Sequence, residues 1–207
     1  MRSRSYAGAV VALLLFLGFL GAALSGCGHM PVTSMLKLAR VDFANTDPAQ
    51  LRAAVKLPRL IQPQPQGMAL RIGVKLAGGQ EEFEDFVLRE VSEPKDVLAL
   101  HRELDADTHV FAYRLDPSEV ARLTAFRDAL KKKQAISGGS GGSGGSLTIA
   151  IRPQACRSGD LSGRPVMVTT YVRTAETGGY VPLTRDVDLR TIDCRQDLAA
   201  AIPPCGR

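Results

Sequence analysis

Residues 68 to 91 read MALRIGVKLAGGQEEFEDFVLREV, and this stretch decides the fold. Met68, Leu70, Ile72, Val74 and Leu76 alternate with Ala69, Arg71, Gly73 and Lys75, the period of a strand with one buried face. Gly78-Gly79 turns the chain back, and Glu82 to Val91 returns as a second, partly exposed strand. Working outward, Leu36 to Ala44 is strand-like with a change of apolar phase between Leu38 and Val41. Thr46-Asp47-Pro48 predicts the cap of a short helix carrying Leu51, Ala54 and Val55. Pro58 ends that helix, and Gln62 to Gly67 reads as an extended connector.

Beyond Val91, Pro94 sits in the first turn of a predicted helix whose Val97, Leu100, His101 and Leu104 share one face. His109 to Leu115 is the next strand. Asp116-Pro117 opens a longer helix with Val120, Leu123, Phe126 and Leu130 on its apolar side and Lys131 to Lys133 at its carboxyl end, where they complement the helix dipole. Ser137 to Ser146 is a Gly-Gly-Ser run without side chains able to join a core, a flexible connector. Three strands follow, around Leu147 to Ile151, Val166 to Val172 and Val181 to Leu189, expected to be mutually antiparallel. A short helix carrying Cys194, Leu198 and Ile202 then ends at Pro203-Pro204. The expectation is an α+β fold: a largely antiparallel sheet with three to four packed helices, forming a single domain over residues 36–207. The first six elements follow the order of a split βαβ, ferredoxin-like unit.

The amino-terminal end carries an address. Arg2 and Arg4 precede an apolar run from Tyr6 to Leu24 that contains no charge, the layout of a secretory signal. The run closes on Leu24-Ser25-Gly26-Cys27. These four residues resemble the lipobox of bacterial lipoproteins. The resemblance implies that residues 1–26 are cleaved, that a diacylglycerol joins the Cys27 sulfur, and that the new amino terminus is acylated. Residues 27–35 then form a lipidated tether. Gly28 stands where an aspartate would retain such a protein at the inner membrane, so the resemblance favours the periplasmic face of the outer membrane.

With Arg2 and Arg4 removed, 24 Lys and Arg face 21 Asp and Glu, a net charge of +3. That balance is not the footprint of a nucleic-acid partner. In an oxidising envelope Cys156, Cys194 and Cys205 make an odd set, predicting one disulfide. Cys156 with Cys205 is the preferred pair, because Cys194 shares a helical face with Leu198 and Ile202 while Cys205 lies in a tail that a covalent tie would hold. Cys156 with Cys194 is the competitor.

The candidate chemistry is thin. Gly138 to Gly142 and Gly139 to Gly144 match G-x-S-x-G and G-x-G-x-x-G formally, but both need a strand before and a helix after, the reverse of the order here. Glu103, Asp105, Asp107 and His109 alternate and in an extended backbone would offer three carboxylates and an imidazole to a metal; Asp-Ala-Asp-Thr is equally a solvated helix-to-strand turn. His101 on an apolar helix face is a candidate base or a core histidine, and His29 lies beside the anchor. Glu81, Glu82, Glu84 and Asp85 read as the charges of a strand edge, or as the paired carboxylates of a hydrolase. Tyr171 and Tyr180 flank the Gly178-Gly179 turn, as a contact surface or as ordinary hairpin chemistry. The sequence therefore points to an envelope lipoprotein without catalysis or cofactor, anchored in the membrane through Cys27 and binding an envelope protein. A small-molecule or lipid-binding module auxiliary to transport is the alternative, and a carboxylate hydrolase the third reading. An apolar cavity would favour the second; an exposed apolar patch over a filled core would favour the first.

Overall fold

The structure, a computed structural model, describes residues 31–206 apart from residue 44 and residues 76–79, 137–145 and 192–196. The signal segment, Cys27, His29, Cys194 and all but Ser146 of the Gly/Ser run lie outside the described residues.

The chain is mainly β. Seven strands, β1 (Arg52–Pro58), β2 (Ile61–Lys75), β3 (Glu81–Val91), β4 (Thr108–Leu115), β5 (Ser146–Arg157), β6 (Met167–Arg173) and β7 (Val181–Asp188), form one nearly closed, barrel-like sheet in the order β5-β2-β3-β4-β1-β6-β7. Three α-helices accompany it among the described residues: α1 (Val32–Leu38), α2 (Pro94–Leu100) and α3 (Pro117–Ile136). This corrects the expectation of an α+β fold with a helix-packed sheet. Every strand pair is antiparallel, so the parallel pairing that a ferredoxin-like unit requires does not occur.

Four local readings change with it. No strand forms over the described residues 36–43: α1 takes the first of them and irregular chain with turns takes the rest, because Val32, Met35 and Leu36 already stand at helical spacing. The helix expected after Asp47 stops after one 3₁₀ turn, Pro48–Gln50, although Asp47 does cap it by accepting a hydrogen bond from the Ala49 amide at 2.9 Å. Leu51, Ala53, Val55 and Leu57 then alternate into the inner core, while Ala54 is buried on the opposite face. A strand buried on both faces loses the simple alternation that distinguishes it from a helix. The connector over 62–67 is part of β2: Pro63 pairs with Ala155, the register breaks between Pro63 and Met68, and Gln66 takes a positive φ of 57°. Prolines fit a strand at such a bulge, where ladder amides are not needed. Finally, β5 pairs with β2 rather than β6, so only β6 and β7 form the expected hairpin. The described residues 197–202 form turns instead of the expected closing helix.

The inner core gathers Val55, Leu57, Met68, Leu70, Ile72, Phe86, Leu88 and Leu115, with α3 contributing Leu123 and Phe126 as read from its sequence. Phe126 meets Phe86 edge-on at a centroid distance of 6.0 Å. A smaller cluster lies on the outer face, where Ala54, Ala112 and Tyr171 are covered by Leu100 of α2. The carboxyl tail is laid along β5 by hydrogen bonds from Arg157 N to Pro203 O and from Cys205 N to Arg157 O, and Cys156 is disulfide-bonded to Cys205, the expected pair.

Candidate functional site

Between Met68 and Pro63, β2 leaves β3 to follow β5 alone; its pairing with β3 ends at Met68 opposite Leu88. The position opposite Glu90 is consequently left without a β2 partner, and a cavity of about 530 Å³ opens at this end of the barrel. Its walls are Pro63 to Gln66 and Met68 from β2, Val87 to Glu90 from β3, Tyr113 from β4, and Asp116, Ser118 and Glu119 at the start of α3. The volume lies within the range of small-ligand sites, roughly 300–1,000 Å³.

The charges around it are mostly taken. Arg89 pairs with Asp116 at 3.3 Å. Glu119 accepts a hydrogen bond from the Val87 amide at 3.1 Å and from Arg122 at 2.8 Å, and Arg122 also donates to the Asp85 carbonyl. Through these contacts α3 satisfies the flank of β3 that β4 is too short to reach. The Glu90 carboxylate has no hydrogen-bond or ion-pair partner among the described residues. Tyr113, its cross-strand neighbour, is 3% exposed, and its buried hydroxyl has no hydrogen-bond partner. Burial, with the Glu90 charge adding to it, pushes the Tyr113 phenol far above its ordinary value, so it stays protonated.

A second polar group occupies the outer face. Arg89, Arg114, Arg52 and Arg173 are successive cross-strand partners on β3, β4, β1 and β6. Asp96 of α2, fully buried, sits above this row: Arg173 reaches it at 2.8 Å, Arg52 Nε at 3.7 Å, and the Tyr180 hydroxyl donates to it at 3.2 Å. Glu93 neutralises Arg114 at 3.1 Å. This network clamps α2 to the sheet.

The residues singled out from sequence are dispersed. Asp105 pairs with Lys56 at 2.7 Å and accepts from Thr108, which together hold its carboxyl below the usual range. Glu103 accepts from Tyr171 at 2.7 Å and pairs with Arg185, while His109 faces Arg59 and Asp107 contributes its carbonyl to the Arg59 amide. No group of three or more metal-ligating side chains converges among the described residues. His101 is exposed at the end of α2, not on an apolar face, because the helix lasts only seven residues before a 3₁₀ turn; Asp96 and Leu100 of this helix are buried. Glu81, Glu82, Glu84 and Asp85 lie on the part of β3 that pairs with β2 but extends beyond β4, so they flank a locally open strand edge, as read from the sequence. They are strapped to Thr148, Lys133, Arg122 and Arg71 respectively. Tyr171 and Tyr180 turn inward beneath α2, and burial raises both phenols. Sequence reasoning missed Tyr113 and Glu90. The double proline before Met68 marked a disturbed strand, the one signal of an opening beside it.

Comparison with known proteins found no matching family model, no matching curated protein and no matching solved structure.

Proposed function

We propose that the chain is an envelope lipoprotein, anchored through a lipid on Cys27 at the periplasmic face of the outer membrane, whose barrel-like domain has a non-catalytic role in binding another envelope component. The observation that carries this reading joins the sequence address to the geometry. A few residues beyond the Leu24-Ser25-Gly26-Cys27 run, α1 turns Val32, Met35 and Leu36 to solvent at 74%, 55% and 69% exposure. An exposed apolar cluster a few residues along the chain from an acyl anchor suits contact with the headgroup region, which would add to acyl chains that contribute about 0.8 kcal/mol per buried methylene. The test is metabolic labelling with an alkyne palmitate followed by membrane fractionation. The chain is expected to carry label and to sediment with the outer membrane, and Cys27→Ser to abolish both. Label on the Cys27→Ser protein, or a soluble unlabelled wild type, overturns the reading.

The cavity beside Tyr113 supports the second reading, a small-molecule-binding module auxiliary to envelope transport. It is compatible with the same anchor and is tested by ligand titration.

A further inference from the structure

We propose that the barrel-end cavity binds an organic ammonium ion carried on a short aliphatic body, with the Glu90 carboxylate as counterion and the Tyr113 hydroxyl as hydrogen-bonding partner. The sign follows from the charges present. Glu90, Asp116 and Glu119 line the cavity against Arg89 alone. Arg89 and Asp116 neutralise each other, and Glu119 is engaged by Arg122 and the Val87 amide, which leaves Glu90 as the uncompensated charge. The amino end of α3 cannot recruit an anion here, because Asp116 and Glu119 already occupy it.

Tyr113 independently points to a ligand. A buried hydroxyl without a partner forgoes a hydrogen bond it would make in water, and such groups are rare in folded proteins unless something else satisfies them. The remaining walls, Pro63, Pro65, Met68 and Leu88, are apolar and suit methylene groups. A bare metal ion fits poorly, since one free carboxylate falls short of the six or more oxygens that a hard cation gathers.

The inference rests on the binding role proposed above and not on the anchor. Full-length protein in an uncharged detergent is titrated with pentane-1,5-diamine, with pentane-1,5-diol and glutarate as neutral and anionic counterparts. Saturable binding of the diamine alone is expected. Glu90→Gln, at an exposed position that the fold does not need, is expected to weaken it by about tenfold or more, a factor equal to one decade in Kd. Tyr113→Phe is expected to weaken it several-fold while leaving the thermal midpoint unchanged or raised. An acetyl-lysine-methylamide probe that competes better than the diamine identifies a protein lysine as the source, and the reverse identifies a free amine; both support the proposal. No saturation by the diamine, equal binding of glutarate, or unchanged affinity in Glu90→Gln overturns it. Alkyne-palmitate label and cross-linked envelope partners recovered from the same preparation would show that the lipoprotein reading survives such a failure.

Discussion

Arg71 on β2 and Asp85 on β3 are cross-strand partners joined by a two-pronged ion pair, Nε and Nη2 each donating at 2.7 Å to a different carboxylate oxygen. The hydrogen bonds from Arg71, helped by Arg152, hold the Asp85 carboxyl below its ordinary range. A carboxyl lowered in the folded state stabilises above its unfolded pKa, near ~3.9, and that contribution is lost as pH falls through the folded value. Asp85→Asn is therefore expected to flatten the acid limb of the stability curve below about pH 4. Because both side chains are about a third exposed, its effect at neutral pH should be small. Denaturant midpoints measured across the acid range check this; an unaltered acid limb would contradict it.

Removing the Asp96 carboxylate should be far more damaging. Asp96→Ala leaves the buried Arg52 beside Arg173 with no counterion between them, and breaking a buried pair in this way costs about 3–5 kcal/mol. Arg173→Met should cost less, since Arg52 still faces the carboxylate. Urea unfolding of the two variants and of Asp96→Ala/Arg52→Met measures it, and an Asp96→Ala loss under about 1 kcal/mol would contradict the clamp.

Cys156 and Cys205 are separated by 49 positions and tie the tail to β5. In the chain-entropy model a loop of this size contributes roughly 4 kcal/mol. Cys205→Ser should lower stability by about 2–4 kcal/mol and expose the segment after Leu198 to limited proteolysis. Peptide mapping under non-reducing conditions that joined Cys156 to Cys194 would refute the pairing.

The outward face of α1 should lie in lipid. In a Cys194→Ser background, an environment-sensitive fluorophore on Leu36→Cys is expected to be quenched by lipids spin-labelled near the headgroup and spared by those labelled at the acyl terminus. A label on the exposed Lys132, as Lys132→Cys, should be spared by both. Equal quenching at the two positions would argue against contact by α1.

The elements most legible in the sequence were those whose pattern is set by one partner. Met68 to Lys75, Glu82 to Val91 and His109 to Leu115 form strands and Pro117 to Ile136 a helix, as read; in Met68 to Lys75 and in the helix, one side supplies most of the buried apolar residues. Arg52 to Pro58 was misread because it is buried on both sides, by the inner core and by Leu100. Its neighbours β4 and β6 lie far along the chain, and no local period reports them. The disulfide could be reasoned out, since few cysteines were available. The cavity could not, because it arises where two strands part: Tyr113 reads as an ordinary core tyrosine until the loss of β2 beside Glu90 is known.

The row formed by Arg89, Arg114, Arg52 and Arg173 also bears on how the molecule assembles. Like charges placed directly opposite one another resist strand pairing. The partners that relieve this repulsion, Glu93 and Asp96, arrive on the segment linking β3 to β4. Glu93 and Asp96 therefore offset the repulsion within the ladder of β4, β1 and β6, which apolar pairs such as Val55 with Phe111 hold together. Because β1 pairs with β6 far along the chain, α2 acts as an electrostatic strap across strands distant in sequence: it holds together a row of arginines whose charges favour separation.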